Sequence, residues 1–183
     1  MQWVLVEVVS RPLILSSLRA EVDRVMERHE TLFIWDAIQE LTFTTAVIQE
    51  TLRLNTIVFQ LIRRLAEADD RVPMLDGSTI YLPKGTAVDT NTAILHRNPA
   101  YWANPRSFVP DRFVPESPEW TADERLRQGR SHAFVFMLFS IGTMICFGQR
   151  FAMTQMQAVV ASLVHKYEFA VDHDADVRHK SMA

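Results

Sequence analysis

Apolar positions recur at helical spacing over several stretches of the chain. Leu13, Leu18, Val22, Val25 and Met26 alternate with Arg19, Glu21, Asp23 and Arg24, the pattern of an amphipathic helix from Leu13 to Met26. A second helix is predicted from Asp36, whose carboxylate can cap free backbone amides while Gln39 bonds back, to about Leu54. Ile38, Leu41, Thr45, Ile48 and Leu52 form one stripe of it, and Phe43, Ala46, Val47 and Leu54 cover much of the other side. A helix apolar nearly all round belongs in the interior. The last clear helix runs from about Gln149 to Tyr167, with Phe151, Met156, Val159, Val160, Leu163 and Val164 as its buried stripe. The opening, Trp3 to Val9, reads as the end of a buried helix.

Between the helices the pattern changes. Pro73 to Leu82 reads as two short strands joined by the Asp76-Gly77 turn, Pro83-Lys84-Gly85 is a further turn, and Thr86 to Thr90 is a third short strand. From Asn98 to Pro118, the prolines at 99, 105, 110, 115 and 118 forbid long helices. That segment should be an irregular loop pinned by Tyr101, Trp102, Phe108 and Phe113. Asp123 to Arg130 is charged and expected to be solvated. The fold class is therefore mainly α with a small β component.

Composition narrows the function classes. With 48% hydrophobic and 22% charged residues in 183, the chain is a globular domain with one core. A formal net charge of -3 gives no basic face, so nucleic acid is not an expected partner. Trp3 to Val9 contains Glu7 and stops at Arg11-Pro12, far short of the ~20 residues of a membrane-spanning helix. No basic n-region or small-residue cleavage site marks a signal peptide. The single cysteine, Cys146, cannot form an internal disulfide, so it is packed, reactive or a ligand, in a reducing compartment.

Cys146 lies in FSIGTMICFGQRFA, Phe139 to Ala152, between Gly142 and Gly148 and immediately before the last helix. Glycine permits backbone conformations and a close approach to a flat ligand that a side chain would block. The helix beginning near Gln149 aims its free amides and positive dipole end at Cys146, an arrangement that favours a thiolate. On chemistry alone, however, a lone cysteine in an apolar segment is more often a small core residue. Glu50 and Arg53 lie three apart on the second helix; such a pair contributes only ~0.2–0.5 kcal/mol when exposed, but these apolar surroundings imply burial and further partners.

The cysteine segment resembles the haem-binding loop FxxGxRxCxG of the cytochrome P450 (haem-thiolate monooxygenase) family, matching at Phe139, Gly142, Cys146 and Gly148. Glu50-Thr-Leu-Arg53 resembles the family's ExxR, and Pro110-Asp-Arg-Phe113 its PERF motif, with Asp111 for the usual Glu. Leu18 to Val25 also looks like the helix that precedes ExxR. The resemblance implies that Cys146 binds the iron of haem b and that Phe139, Gly142 and Gly148 help to hold the cofactor. It further implies that Glu50, Arg53 and Arg112 form a structural cluster setting the height of the cysteine segment.

Met144 stands where the family usually has a cation that meets a haem propionate. A hydrogen bond to a charged group is typically worth ~1.5–3 kcal/mol, so another cation should substitute, and Arg63 is the candidate. Ile57 and Val58 fall where the family contacts substrate, though core packing would serve as well. His96 and His132 have no partner at metal-ligand spacing and read as ordinary packed or surface residues. Asp172, His173, Asp174, Asp176 and His179 form a polar tail cluster that reads as terminal disorder or adventitious metal binding.

By the resemblance, the whole chain, residues 1–183, is the C-terminal haem-binding portion of the fold, with the N-terminal half and the distal acid/alcohol pair lying outside it. The implied function is insertion of one oxygen atom from O2 into a small hydrophobic substrate, with an NADPH-dependent reductase as partner. The sequence looks most like fungal microsomal members; full-length relatives belong to the endoplasmic reticulum membrane, and this chain, without an anchor, to the cytoplasm or to a compartment the sequence does not name. On that view it is inactive alone. A non-catalytic, degenerate haem-binding protein and a haem-free helical interaction module are the alternatives.

Overall fold

A computed structural model describes residues 1–74 and 76–170; the polar tail cluster from Asp172 to His179 lies outside the described residues. The opening forms α1, Gln2–Val9, with Val4 and Val8 fully enclosed. Pro12, whose missing amide costs nothing in a first turn, starts α2, Pro12–His29. This helix is longer at both ends than periodicity suggested, and Leu13, placed on its apolar stripe, is instead 85% exposed.

The second helix is two helices, α3 (Trp35–Glu40) and α4 (Thr42–Leu54), broken at Leu41. Asp36 lies inside the first turn of α3 and is not its cap; Ile34 occupies that position without a side-chain bond. The cause of the break comes from α2. The Glu21 carboxylate, buried under the start of α4, accepts hydrogen bonds from the amides of Phe43 and Thr44 and from the hydroxyls of Thr42 and Thr44, at 2.7–3.1 Å. A negative group at a helix N-terminus satisfies free amides and meets the positive end of the dipole. Glu21→Ala is therefore expected to cost about 2–3 kcal/mol, read as a lower urea midpoint. A loss below about 0.5 kcal/mol would mean that water replaces the carboxylate at no cost.

The helix α7, Gln149–Lys166, packs across α2 and α4. One cluster joins Val4, Val8, Leu18, Val47, Ile48, Leu52, Val160 and Val164; a second joins Val22, Val25, Ile38, Leu41 and Ala161. Phe151, expected in the buried stripe of α7, is instead 74% exposed, and the buried residues of this helix, Val160, Ala161 and Val164, lie toward its C-terminal end.

The β component is small. Strands β1 (Arg64–Leu65) and β4 (Ala87–Val88) pair antiparallel, as do β2 (Asp70–Pro73) and β3 (Thr79–Leu82). Gly77, at φ +81, supplies the left-handed turn between β2 and β3. The third predicted strand thus shrinks to two residues and pairs with β1, outside the hairpin.

After the short helix α5, Thr92–Leu95, the proline-rich segment crosses the end of α4, and Trp102, Phe108 and Phe113 are buried as expected of packing anchors. The residues beyond this loop depart from expectation. Ser117 caps, and Pro118 opens, α6, Pro118–Arg127, on which Asp123 and Arg127 are buried. The segment read as solvated delivers a carboxylate to the interior. Among the described residues, no helix is long and apolar enough to cross a membrane.

Candidate haem-binding site

Helix α4 carries Glu50 and Arg53 into the interior, where both are 0% exposed. Arg53 is held in a fork, Nε to Glu50 Oε2 at 2.6 Å and Nη2 to Glu50 Oε1 at 2.8 Å. Its remaining donors reach the carbonyls of His96, Pro105 and Ser107 at 2.6–3.1 Å. Arg112 Nε meets Glu50 Oε1 at 3.2 Å, and the amide of Val109 meets the same oxygen at 2.7 Å. All three members of the cluster proposed from the motifs are in contact.

A fourth member was missed. Asp123 of α6 accepts from Arg112 Nη1 at 2.7 Å and from the amide of Ala103 at 2.6 Å. Two carboxylates then face the guanidiniums of Arg53, Arg112 and the buried Arg127, which lessens the excess charge a Glu-Arg-Arg set would bury. Trp102 lies at the centre, with the guanidinium carbons of Arg53, Arg112 and Arg127 at 5.2, 5.8 and 5.8 Å from its ring, within cation–π range. The signal for Asp123 was available: Ser117-Pro118 is a helix start, and Trp120, Asp123 and Arg127 share one face at spacings of three and four.

His96 is fully buried at the C-terminal end of α5. Its Nε2 accepts the amide of Met137 at 3.1 Å, and its Nδ1 lies 3.2 Å from Thr56 Oγ1. Since Thr56 donates its own proton to the Arg53 carbonyl at 2.9 Å, the tautomer is fixed with hydrogen on Nδ1. Burial, then the nearby Arg53 charge, pushes the imidazole down to about 4. Burial lowers His132, stacked on Trp120, to about 4 as well.

The segment around Cys146 folds back on itself, its amide donating to the Phe139 carbonyl at 2.8 Å. Gly142 opens the intervening turn at φ +69, a backbone conformation that disfavours other residues. Gly148 differs: its φ is -81, and a side chain there would bring a Cβ to 3.8 Å from Cys146 Sγ. Gly142 thus serves conformation, whereas a Cβ at Gly148 would make only ordinary van der Waals contact with the sulfur. Phe139 lines an open cleft with Gln49, Phe136, Ile145 and Gln149.

Cys146 is exposed rather than packed in the core. Around it Met144, Ile145, Phe147 and Phe151 are exposed too, with Phe147 wholly so. Ile57 and Val58 also stand exposed in this chain. Arg63 is exposed and paired with Asp89 at 3.0 Å. Its neighbour Arg64 instead reaches the cysteine segment, with Nη2 at 3.3 Å from the Ile141 carbonyl.

These residues fit haem. An accessible sulfur sits ahead of a helix, beside a position without a Cβ, on an apolar surface of the kind that marks a binding face. Among the described residues no group of three or more His, Cys, Asp or Glu is placed to hold a metal ion.

Comparison with known proteins agrees. The family profile "Cytochrome P450" matches residues 1–183. "Cytochrome P450 4A10" of Rattus norvegicus is 32% identical over 93% of this chain and 30% of its own length. "Cytochrome P450 CYP82J17" of Trigonella foenum-graecum is also 32% identical, over 93% of this chain and 30% of its own. "Taurochenodeoxycholic 6 alpha-hydroxylase" of Sus scrofa is 33% identical over the same shares. The chain therefore spans about 30% of the length of the curated relatives it matches. A profile match along the whole chain, on a mainly helical fold whose motif residues meet in space, establishes that this chain belongs to the cytochrome P450 family.

Proposed function

We propose that this chain is the C-terminal, haem-binding portion of a monooxygenase that inserts one oxygen atom from O2 into a small hydrophobic substrate. The exposed Cys146, set between Gly142 and Gly148 at the start of α7, carries this reading. Cys146 would hold the iron through its thiolate, with haem b as the cofactor. When bound, the haem activates O2, helped by electron density from the thiolate.

The residues of this chain orient and shield. Phe139 fixes Cys146 through its carbonyl, and Gly148 leaves room beside the sulfur. The apolar side chains of Ile145, Phe147 and Phe151 exclude water from the cofactor's face. Glu50, Arg53 and Arg112 hold the proline-rich loop rigid behind the site. Arg63, paired with Asp89 in this chain, would supply the cation for a haem carboxylate that Met144 cannot. Ile57 and Val58 line part of the substrate pocket, and catalytic proton delivery comes from residues outside this chain. The longer protein accepts electrons from an NADPH-dependent reductase at the endoplasmic reticulum membrane. Membership among the fungal microsomal enzymes belongs to the same reading; the relatives named above are mammalian and plant proteins.

A second reading, a degenerate haem-binding protein without turnover, is favoured by one observation, the uncharged Met144. Haem titration of the chain tests ligation in both. The reduced carbon monoxide complex is expected to give a thiolate-type spectrum, and Cys146→Ala to abolish it. The same spectrum in the variant would overturn both readings, and no haem binding by the unmodified chain would leave a haem-free interaction module. Turnover by the longer protein carrying this segment, set against none, separates the two.

A further inference from the structure

We infer that His96 is a positioning residue that couples the buried Glu50–Arg53 pair to the cysteine segment, by accepting a hydrogen bond from the backbone of Met137. This rests on the haem-thiolate reading of Cys146.

The coupling runs through a short chain of hydrogen bonds. Arg53 Nη1 donates to the His96 carbonyl at 2.6 Å, so the α4 cluster fixes the backbone of His96. Thr56, just past the end of α4, fixes its ring: the Thr56 hydroxyl donates to the Arg53 carbonyl and accepts from His96 Nδ1. With hydrogen on Nδ1, Nε2 presents a lone pair, which takes the Met137 amide at 3.1 Å. The ring also packs against Phe136, centroids 5.2 Å apart. Two residues beyond Met137, the Phe139 carbonyl receives the amide of Cys146 at 2.8 Å. Two hydrogen bonds therefore separate His96 from the backbone of Cys146.

The other members of the cluster point elsewhere: Arg112 and Asp123 tie Glu50 to the loop before α6 and to α6 itself. Met137 and Leu138 lie in a stretch without helix or strand, where a backbone amide lacks a ladder partner and depends on a side chain. His96 supplies that partner. A fully buried acceptor of fixed tautomer holds the segment at one height.

The test compares His96→Leu, which keeps volume and removes the acceptor, with His96→Gln, whose Oε1 can take the place of Nε2. Hydrogen exchange on the chain without haem is expected to show the Met137 and Cys146 amides exchanging about tenfold faster in His96→Leu, with protection restored in His96→Gln. Equal protection of the Cys146 amide in all three proteins would overturn the coupling. Should His96→Leu fail to fold, Thr56→Val, which frees the tautomer, is expected to speed the same two amides and Thr56→Ser to restore them; no change in Thr56→Val would overturn the inference. With haem added, His96→Leu is expected to lose part of the thiolate-type carbon monoxide spectrum and His96→Gln to keep it. Absence of that spectrum in the unmodified chain would count against the function of Cys146, while the amide exchange still decides the role of His96.

Discussion

Glu50→Gln is expected to lower the stability of the chain by about 3–5 kcal/mol, the usual cost of removing one partner from a buried ionic set. Glu50 receives four hydrogen bonds, two from Arg53 and one each from Arg112 and the Val109 amide. Glutamine can accept at one oxygen, but its amide nitrogen would present hydrogens to guanidinium hydrogens. The charge imbalance also grows, since Asp123 alone would face Arg53, Arg112 and the buried Arg127. Native domains are stable by only about 5–15 kcal/mol, so a large fraction of the margin disappears.

The paired variant separates charge from geometry. Arg112→Met alone leaves Asp123 without its guanidinium, held only by the Ala103 amide, and should cost about as much. Combined with Glu50→Gln it removes one charge of each sign, so the double loss should fall short of the sum by at least about 1 kcal/mol. Urea midpoints of the four proteins measure this. A single loss below about 1 kcal/mol for Glu50→Gln would show that the cluster contributes little to folding.

How much of this was legible in the sequence depended on whether a cause was local. The α2 and α7 helices and the Asp76-Gly77 turn follow from spacing and backbone chemistry within a few residues, and all are present. The break at Leu41 was not legible, because the carboxylate that ends one helix and starts the next belongs to Glu21, about twenty residues earlier in another helix. Asp123 was hidden differently. A run of charge from Asp123 to Arg130 looks solvated when charges are counted, whereas helical phase puts Asp123 and Arg127 on the Trp120 face.

The motif residues show the same division. Glu50, Arg53 and Arg112 came from resemblance, and their contact depends on a loop whose path no periodicity describes. Arg63 and Arg64 were indistinguishable in sequence; the register of β1 against β4 sends the first to Asp89 and the second to the cysteine segment. His96 gave no signal beyond its residue type, since its partners lie about forty residues away on either side.

The second large effect expected is a loss of stability between neutral and mildly acid pH. His96 and His132 both titrate near 4 in the folded chain, below the ordinary histidine value of 6.5. Burial is the main cause for each. Arg53, Arg97 and His132 add to it at His96, while at His132 Arg127 lowers and Asp123 partly opposes. Between these two pH values the unfolded chain binds protons that the folded chain refuses. Stability contributed by the neutral rings is therefore complete above 6.5, falls as pH drops toward 4, and changes no further below that.

Each ring can contribute a slope approaching ~1.4 kcal/mol per pH unit within this window. For His96 the whole effect is about 3 kcal/mol, and it is smaller for the half-buried His132. The carboxylates of Asp69, Asp76, Asp89 and Glu40 are held below their ordinary values, by hydrogen bonds from Lys84, Ser78, Arg63 and His29 above all, and their contribution is lost as pH falls through those lowered values. Urea midpoints from pH 7.5 to 4.5 should therefore fall steadily in the unmodified chain. His96→Gln, which keeps the acceptor for Met137 but cannot be protonated, should remove the larger part of that slope while leaving stability at pH 7.5 within about 1 kcal/mol. A flat profile from 7 to 5 in the unmodified chain would mean that water reaches the ring, and that His96 is not the dry acceptor its geometry describes.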